Sequence, residues 1–146
     1  MQNSTLFKMR KVVLSVEDDD AAYFLISSAF RDLDPDLELH RVEDGDAALK
    51  FLNREGAYAD APRPSLILLD MNLPKLTGPE VLTRMQRSHG LRDIPVVVFS
   101  SSKMEADRTT CLTLGAKDFI TKPGNYGAFK SAIRHAFGYA ETTPDR

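Results

Sequence analysis

The stretch Ser65-Leu66-Ile67-Leu68-Leu69-Asp70-Met71-Asn72-Leu73-Pro74-Lys75-Leu76-Thr77-Gly78 passes from an apolar run, through one carboxylate, into a turn. A short, uninterrupted apolar run bounded by turn signals reads as a strand covered on both faces. Thr77 with Glu80 three residues on has the spacing of a capping box, so a helix opens just after the turn. Asp70 therefore sits where a buried strand meets a loop. In an open parallel α/β sheet, the carboxyl end of a strand faces the crevice where ligands bind.

Outward from this stretch, β-rich runs alternate with helical patterns along the whole chain. Strands are expected at Val12–Val16, Leu37–Val42, Ser65–Leu69, Pro95–Ser100 and Asp118–Thr121. Between and after them, apolar residues recur at helical spacing: Phe24, Leu25 and Ser28-Ala29; Ala48, Phe51 and Leu52; Val81, Leu82 and Met85; Cys111, Leu112 and Leu114; Phe129, Ile133 and Phe137. Asp20 and Asp44 are expected as N-caps, Ser102 with Glu105 as a second capping box, and Gly115 as the end of the fourth helix. Strict alternation predicts an α/β fold: a doubly wound sandwich with a parallel sheet, right-handed crossovers and helices on both faces. The strands at Val12–Val16, Leu66–Leu69 and Val96–Phe99 are nearly unbroken in apolar character and belong at the sheet centre.

Composition sets the limits of function. A chain of 146 residues is the size of one domain. Nineteen basic against 21 acidic residues give a net charge of -2, which argues against nucleic-acid binding through a broad basic surface. The apolar runs are too short to span a bilayer, and Met1 to Arg10 lacks the apolar core of a secretion signal. A single cysteine, Cys111, excludes an internal disulfide and fits a small helix residue in the reducing cytoplasm. His40, His89 and His135 fall on separate elements without metal-ligand spacing, and the glycines form no dinucleotide-binding motif. The loop from Gly56 to Pro64 reads as an ordered excursion, Met1–Lys8 and Glu141–Arg146 as frayed ends.

The first strand runs directly into Glu17-Asp18-Asp19-Asp20 and the third into Asp70. If both are central, several carboxylates meet at one sheet edge and repel one another, which a divalent cation resolves. Mg²⁺, or Mn²⁺ in its place, suits an all-oxygen site with few carboxylates that shares phosphate oxygens. Considered together with Asp70, Glu17 and Asp18 read as functional acids at this edge, whereas Asp20 reads as a cap favoured by the helix dipole. Ser100, at the end of the fourth strand, brings a hydroxyl. Lys122, at the end of the fifth, brings an ammonium for phosphate oxygens. Pro123 marks the Lys122–Pro123 bond as a cis-peptide candidate.

Glu17-Asp18, Asp70 within Leu-Leu-Asp-Met-Asn-Leu-Pro, Ser100 and Lys122-Pro123, with Gly78 and Gly115-Ala116 in place, resemble the signature of response-regulator receiver domains over about Lys11 to Phe137. The resemblance implies a (βα)5 flavodoxin-like sandwich with sheet order 2-1-3-4-5. It divides the chain into an N-terminal extension (1–10), a receiver domain (11–140) and a flexible tail (141–146). It implies a signalling protein rather than a turnover enzyme: Asp70 takes a phosphoryl group from a histidine kinase and later loses it by autodephosphorylation. Glu17, Asp18, Asp70 and the Asn72 backbone carbonyl would hold Mg²⁺. Lys122 and Ser100 would assist, Ser100 and Phe119 would switch, and the Asn72 and Ser102 side chains would tune phosphate lifetime. Phe119 stands where the family often has Tyr, and Gly124-Asn125 follows Pro123 in place of a usual apolar residue.

The stretch His40 to Leu49, the excursion through Pro64 and Asn72-Leu73-Pro74-Lys75 are similar to receivers that partner phytochrome-type histidine kinases. With no effector domain expected after Phe137, the resemblance implies a free-standing regulator. It also suggests a homodimer through the helix 4–strand 5–helix 5 face, with Met104, Phe119 and Tyr139 in contact. Two rival classes compete. Asp18-Asp19-Asp20 offers the Asp-x-Asp of Mg²⁺-dependent phosphatases of the haloacid dehalogenase type, with Asp18 as nucleophile, but the chain is short for that family and lacks an obvious cap domain. A phosphate-independent docking module is the other, and the complete set of site residues argues against it.

Overall fold

Central strands need apolar residues on both faces, and the three apolar runs are the three innermost strands. The computed structural model describes residues 10–140, and its sheet has five strands in the order β2-β1-β3-β4-β5. These are β1 (Val12–Val16), β2 (Glu38–Val42), β3 (Leu66–Leu69), β4 (Val96–Ser100) and β5 (Asp118–Thr121). All four pairings are parallel, with Val13 opposite Leu39 and Leu66, Ile67 opposite Val96, and Val98 opposite Phe119. Every residue of β1, β3 and β4 is buried, while β2 and β5 are partly exposed edges. The helices are α1 (Asp20–Leu33), α2 (Gly45–Leu52), α3 (Gly78–Gln86), α4 (Glu105–Thr113) and α5 (Tyr126–Phe137), with a 3₁₀ turn at Gly56–Tyr58.

The pleat sends alternate side chains into two cores. Leu14, Val16, Ile67, Leu69, Val96 and Val98 pack with Phe51, Leu82, Met85 and Cys111 under α2, α3 and α4. Val13, Leu66, Leu68, Val97 and Phe99 pack with Ile26, Phe30, Phe129 and Ile133 under α1 and α5. The order reverses direction between β1 and β3, which opens a crevice at their carboxyl ends.

Several local expectations change. In α1 the buried residues are Ile26, Ser27, Ala29 and Phe30, whereas Phe24 is 68% and Leu25 37% exposed. The stripe at 26, 29, 30 and 33 competes with the one beginning at Phe24, and it is the one the sheet covers. Asp19, not Asp20, caps α1, accepting from the Ala22 N–H at 2.8 Å. Asp44 caps α2, and the Thr77–Glu80 capping box forms. The Ser102–Glu105 box does not: the N-cap of α4 is Met104, which makes no side-chain cap bond, and the Ser102 hydroxyl is committed to Asp107. Gly115 follows α4 at φ 107°, a left-handed conformation suited to glycine.

No peptide bond among the described residues is cis, so the Lys122–Pro123 bond is trans. Lys122 is aimed instead by the sheet, because its N–H donates to the Ser100 carbonyl at 2.8 Å. The expected extension and tail lie outside the described residues, except for Arg10.

Candidate functional site

Three carboxylates converge at the crevice. Glu17, Asp18 and Asp70 each offer an oxygen, and all three oxygens lie within 4.8 Å of one another. Parallel pairing brings them together: the Asp70 N–H donates to the Val16 carbonyl at 3.1 Å, and the Glu17 N–H to the Val42 carbonyl at 3.0 Å. Asp18 is exposed, Asp70 is 9% exposed and Glu17 only 2%.

Glu17 is the deepest of the three and titrates above its ordinary range. Burial is the main cause and Asp70 adds repulsion, while the Lys122 ammonium and the Asp19 N–H oppose both. Lys122 Nζ lies 2.8 Å from Glu17 Oε1 and 3.7 Å from Asp70 Oδ2, so a single cation faces two buried carboxylates. A second carboxylate oxygen of Glu17, Oε2, accepts from the Asp19 N–H at 3.1 Å. Clustered carboxylate oxygens around a polar crevice, one of them solvent-facing, fit a hard divalent cation that retains waters.

The remaining expected residues are held in different ways. Ser100 is fully buried, and its hydroxyl accepts from the Ser102 N–H at 3.1 Å. The Asn72 N–H approaches Asp70 Oδ1 at 3.4 Å, and the Asn72 side chain is exposed. Ser102 is less available than its place in the sequence suggests. Its hydroxyl donates to Asp107 and accepts from the Met104 N–H, and its carbonyl accepts from Thr121 Oγ1 at 2.8 Å. Phe119 is 5% exposed and packs in the core under α4. Met104 is 65% exposed.

Gly78 fixes how closely α3 approaches the site. A Cβ there would lie 2.7 Å from the Asp70 carbonyl oxygen and 2.9 Å from the Met71 Cα, so only glycine lets the helix start against the Asp70–Met71 backbone.

Two contributors were not legible in the sequence. Thr121 clips the loop after β4 to β5. Arg41 on β2 donates from Nε to the Glu17 carbonyl at 2.9 Å and pairs through Nη1 with Asp20 Oδ1 at 2.9 Å. Both act across strands, and the only signal for them is the register of the sheet.

A parallel sheet in this order, with buried acids just after β1 and β3 and a lysine after β5, is the arrangement of a receiver-type signalling domain. The chain belongs to the response regulator receiver domain family, whose pattern matches residues 13–134. It is 42% identical over 115 residues to the response regulator Rcp1 of Synechocystis sp., covering 79% of this chain and 78% of that protein. The crystal structure of the phosphorylated cyanobacterial phytochrome response regulator RcpA superposes with a TM-score of 0.84 at 37% identity, covering 90% of this chain and 94% of that one. The Mn²⁺-bound form of Rcp1 superposes with a TM-score of 0.83 at 36% identity, covering 93% and 99%. The protein is thus a receiver of the two-component type with phytochrome-linked relatives, which displaces the phosphatase alternative. No helix among the described residues is long and apolar enough to cross a membrane.

Proposed function

We propose that Asp70 accepts a phosphoryl group from a sensor histidine kinase, with Mg²⁺ held by Glu17, Asp18, Asp70 and the Asn72 backbone carbonyl. The observation that carries this reading is the convergence of Glu17, Asp18 and Asp70 oxygens within 4.8 Å beside the Lys122 ammonium. An Asp70 carboxylate oxygen attacks phosphorus while the P–N bond to the donor imidazole breaks and its electron pair returns to the ring nitrogen. The bound cation would supply neutralisation of charge on the phosphoryl oxygens, the main requirement of such transfers. Lys122 needs only a pivot of its flexible stem from Glu17 to reach a phosphoryl oxygen. The Ser100 hydroxyl, an acceptor from Ser102, keeps its own proton to donate there.

Phosphorylation then becomes a conformational signal. Ser100 turning toward the phosphoryl group gives up its bond to the Ser102 N–H, which frees the loop leading into α4. Phe119, already buried, stabilises the packed arrangement of the α4-β5-α5 face. A homodimer through that face would rest on exposed Met104 and on Tyr139. The similarity to RcpA, a cyanobacterial phytochrome response regulator, supports a phytochrome-type kinase as the phosphoryl donor. The exposed Asn72 side chain is the better placed of the two lifetime-tuning candidates, because the Ser102 hydroxyl is engaged by Asp107.

The test is labelling with Mg²⁺ and a small radiolabelled phosphodonor. Wild type should retain acid-stable, base-labile label, and Asp70→Asn should retain none. Label that persists in Asp70→Asn but vanishes in Asp18→Asn would overturn the assignment, and no labelling of wild type by any donor would favour phosphate-independent docking.

A further inference from the structure

Four consecutive acids follow β1, yet only two of them join the carboxylate cluster. Asp19 is consumed as the cap of α1. Asp20 pairs instead with Arg41, whose Nη1 lies 2.9 Å from Asp20 Oδ1. The same guanidinium donates from Nε to the main-chain carbonyl of Glu17 at 2.9 Å, and it lies 4.8 Å from the centroid of the Tyr23 ring on α1.

The Asp20 side chain is 90% exposed, so what anchors the contact is the Arg41 side of it. The Arg41 side chain is 18% exposed, and its Nη2 is buried with no hydrogen-bond partner among the described residues. An unpaired buried donor is costly, so a guanidinium held there is being kept in place by its other contacts. Those contacts join β2, the carbonyl of a candidate metal ligand and the first turn of α1. The register explains the reach: Arg41 lies opposite Ser15 on β1, two residues before Glu17.

We propose that Arg41 is the positioning residue of the acidic loop. It fixes the Glu17 backbone and withdraws Asp20, so that Glu17 and Asp18 present a two-acid face to the cation. The inference rests on the metal-binding reading of Glu17 and Asp18 given above. It also has a distinctive sign. By Coulomb's law alone, a positive charge beside a cation site weakens binding, so removing it would tighten binding. A positioning role predicts the opposite. A planar fork is required to bond Nε and Nη1 to separate acceptors, so lysine cannot substitute.

The experiment is calorimetric titration of Mn²⁺ into unphosphorylated wild type, Arg41→Gln and Arg41→Lys, with folding checked by circular dichroism. Both variants should bind Mn²⁺ roughly 10-fold more weakly than wild type, the scale typical of losing a residue that orients a metal ligand. Tighter binding by Arg41→Gln, or affinities within about twofold of wild type in both variants, would overturn the proposal. Should Arg41→Gln fail to fold, Arg41→Lys decides alone, since it keeps the charge and the aliphatic stem. Absence of Mn²⁺ binding by wild type would overturn the metal reading and this inference together, whereas normal binding that the variants leave unchanged overturns this inference only.

Discussion

Lys122 Nζ is hydrogen-bonded to Glu17 Oε1 at 2.8 Å, joining the end of β5 to the end of β1 across 105 residues of sequence. Glu17 has almost no solvent to turn to when that cation is removed. Lys122→Met should therefore destabilise the metal-free protein at neutral pH by about 1–3 kcal/mol, the cost of a buried group left without its partner. Urea denaturation measures it. An unchanged midpoint and slope would show that the pair contributes no net stability.

The pH dependence has a definite sign. Glu17 titrates above its ordinary value of 4.5 in the folded protein, chiefly through burial. The folded state then binds the proton more tightly than the unfolded chain, so this group's contribution is fully present at acid pH and is lost as pH rises through the raised value. Metal-free wild type should lose stability in this window, and Glu17→Gln should lose less. Denaturation midpoints measured from about pH 4 to pH 8 compare the two, and parallel profiles would remove Glu17 as the source.

Divalent cation should offset the crowding of carboxylates. At a free Mn²⁺ concentration 100 times its dissociation constant, wild type should gain about 2.7 kcal/mol of stability. Asp18→Asn should lose most of that gain, since it removes the solvent-facing member of the cluster. Thermal melts with and without Mn²⁺ read this directly, and an equal gain in both proteins would place the cation elsewhere.

Gly78→Ala should be worse than its one added methyl suggests. The new Cβ would press on the Asp70 carbonyl and the Met71 Cα, which are backbone atoms that cannot swing away. A cost of about 1–3 kcal/mol and slower labelling of Asp70 are expected. Wild-type stability and labelling rate would mean that α3 can retreat without moving Asp70.

Ser100→Ala should uncouple phosphorylation from its output. The variant loses the acceptor for the Ser102 N–H in the resting state and the donor to the phosphoryl group in the other. Amide chemical-shift changes in the loop after β4, recorded with and without phosphodonor, should shrink in the variant while Asp70 is still labelled. Shifts as large as those of wild type would assign the coupling to another group.

Element order, the inner place of β1, β3 and β4, the cap at Asp44 and the capping box at Thr77–Glu80 were all legible in the linear chain. Each depends on neighbours within a few residues or on an apolar run with one interpretation, so local physics suffices. That Glu17, Asp18, Asp70 and Lys122 come together was legible for a related reason, since strand ends in a parallel sheet share one edge.

Where several local arrangements were nearly equal in energy, the packed molecule made the choice. Phe24 and Ile26 both begin apolar stripes, and contact with the sheet selects the one at Ile26. Asp19 and Asp20 can each cap α1, and in the folded chain Asp19 takes the Ala22 N–H while Asp20 pairs with Arg41. Ser102 has capping-box spacing with Glu105, yet its hydroxyl goes to Asp107 while Thr121 holds its carbonyl. The trans bond at Lys122–Pro123, the buried Phe119 and the reach of Arg41 to Glu17 likewise belong to the assembled sheet. Composition and spacing state which groups a chain has to offer. Contacts between residues far apart in the chain, made only when strands fall into register, state which partner each group takes.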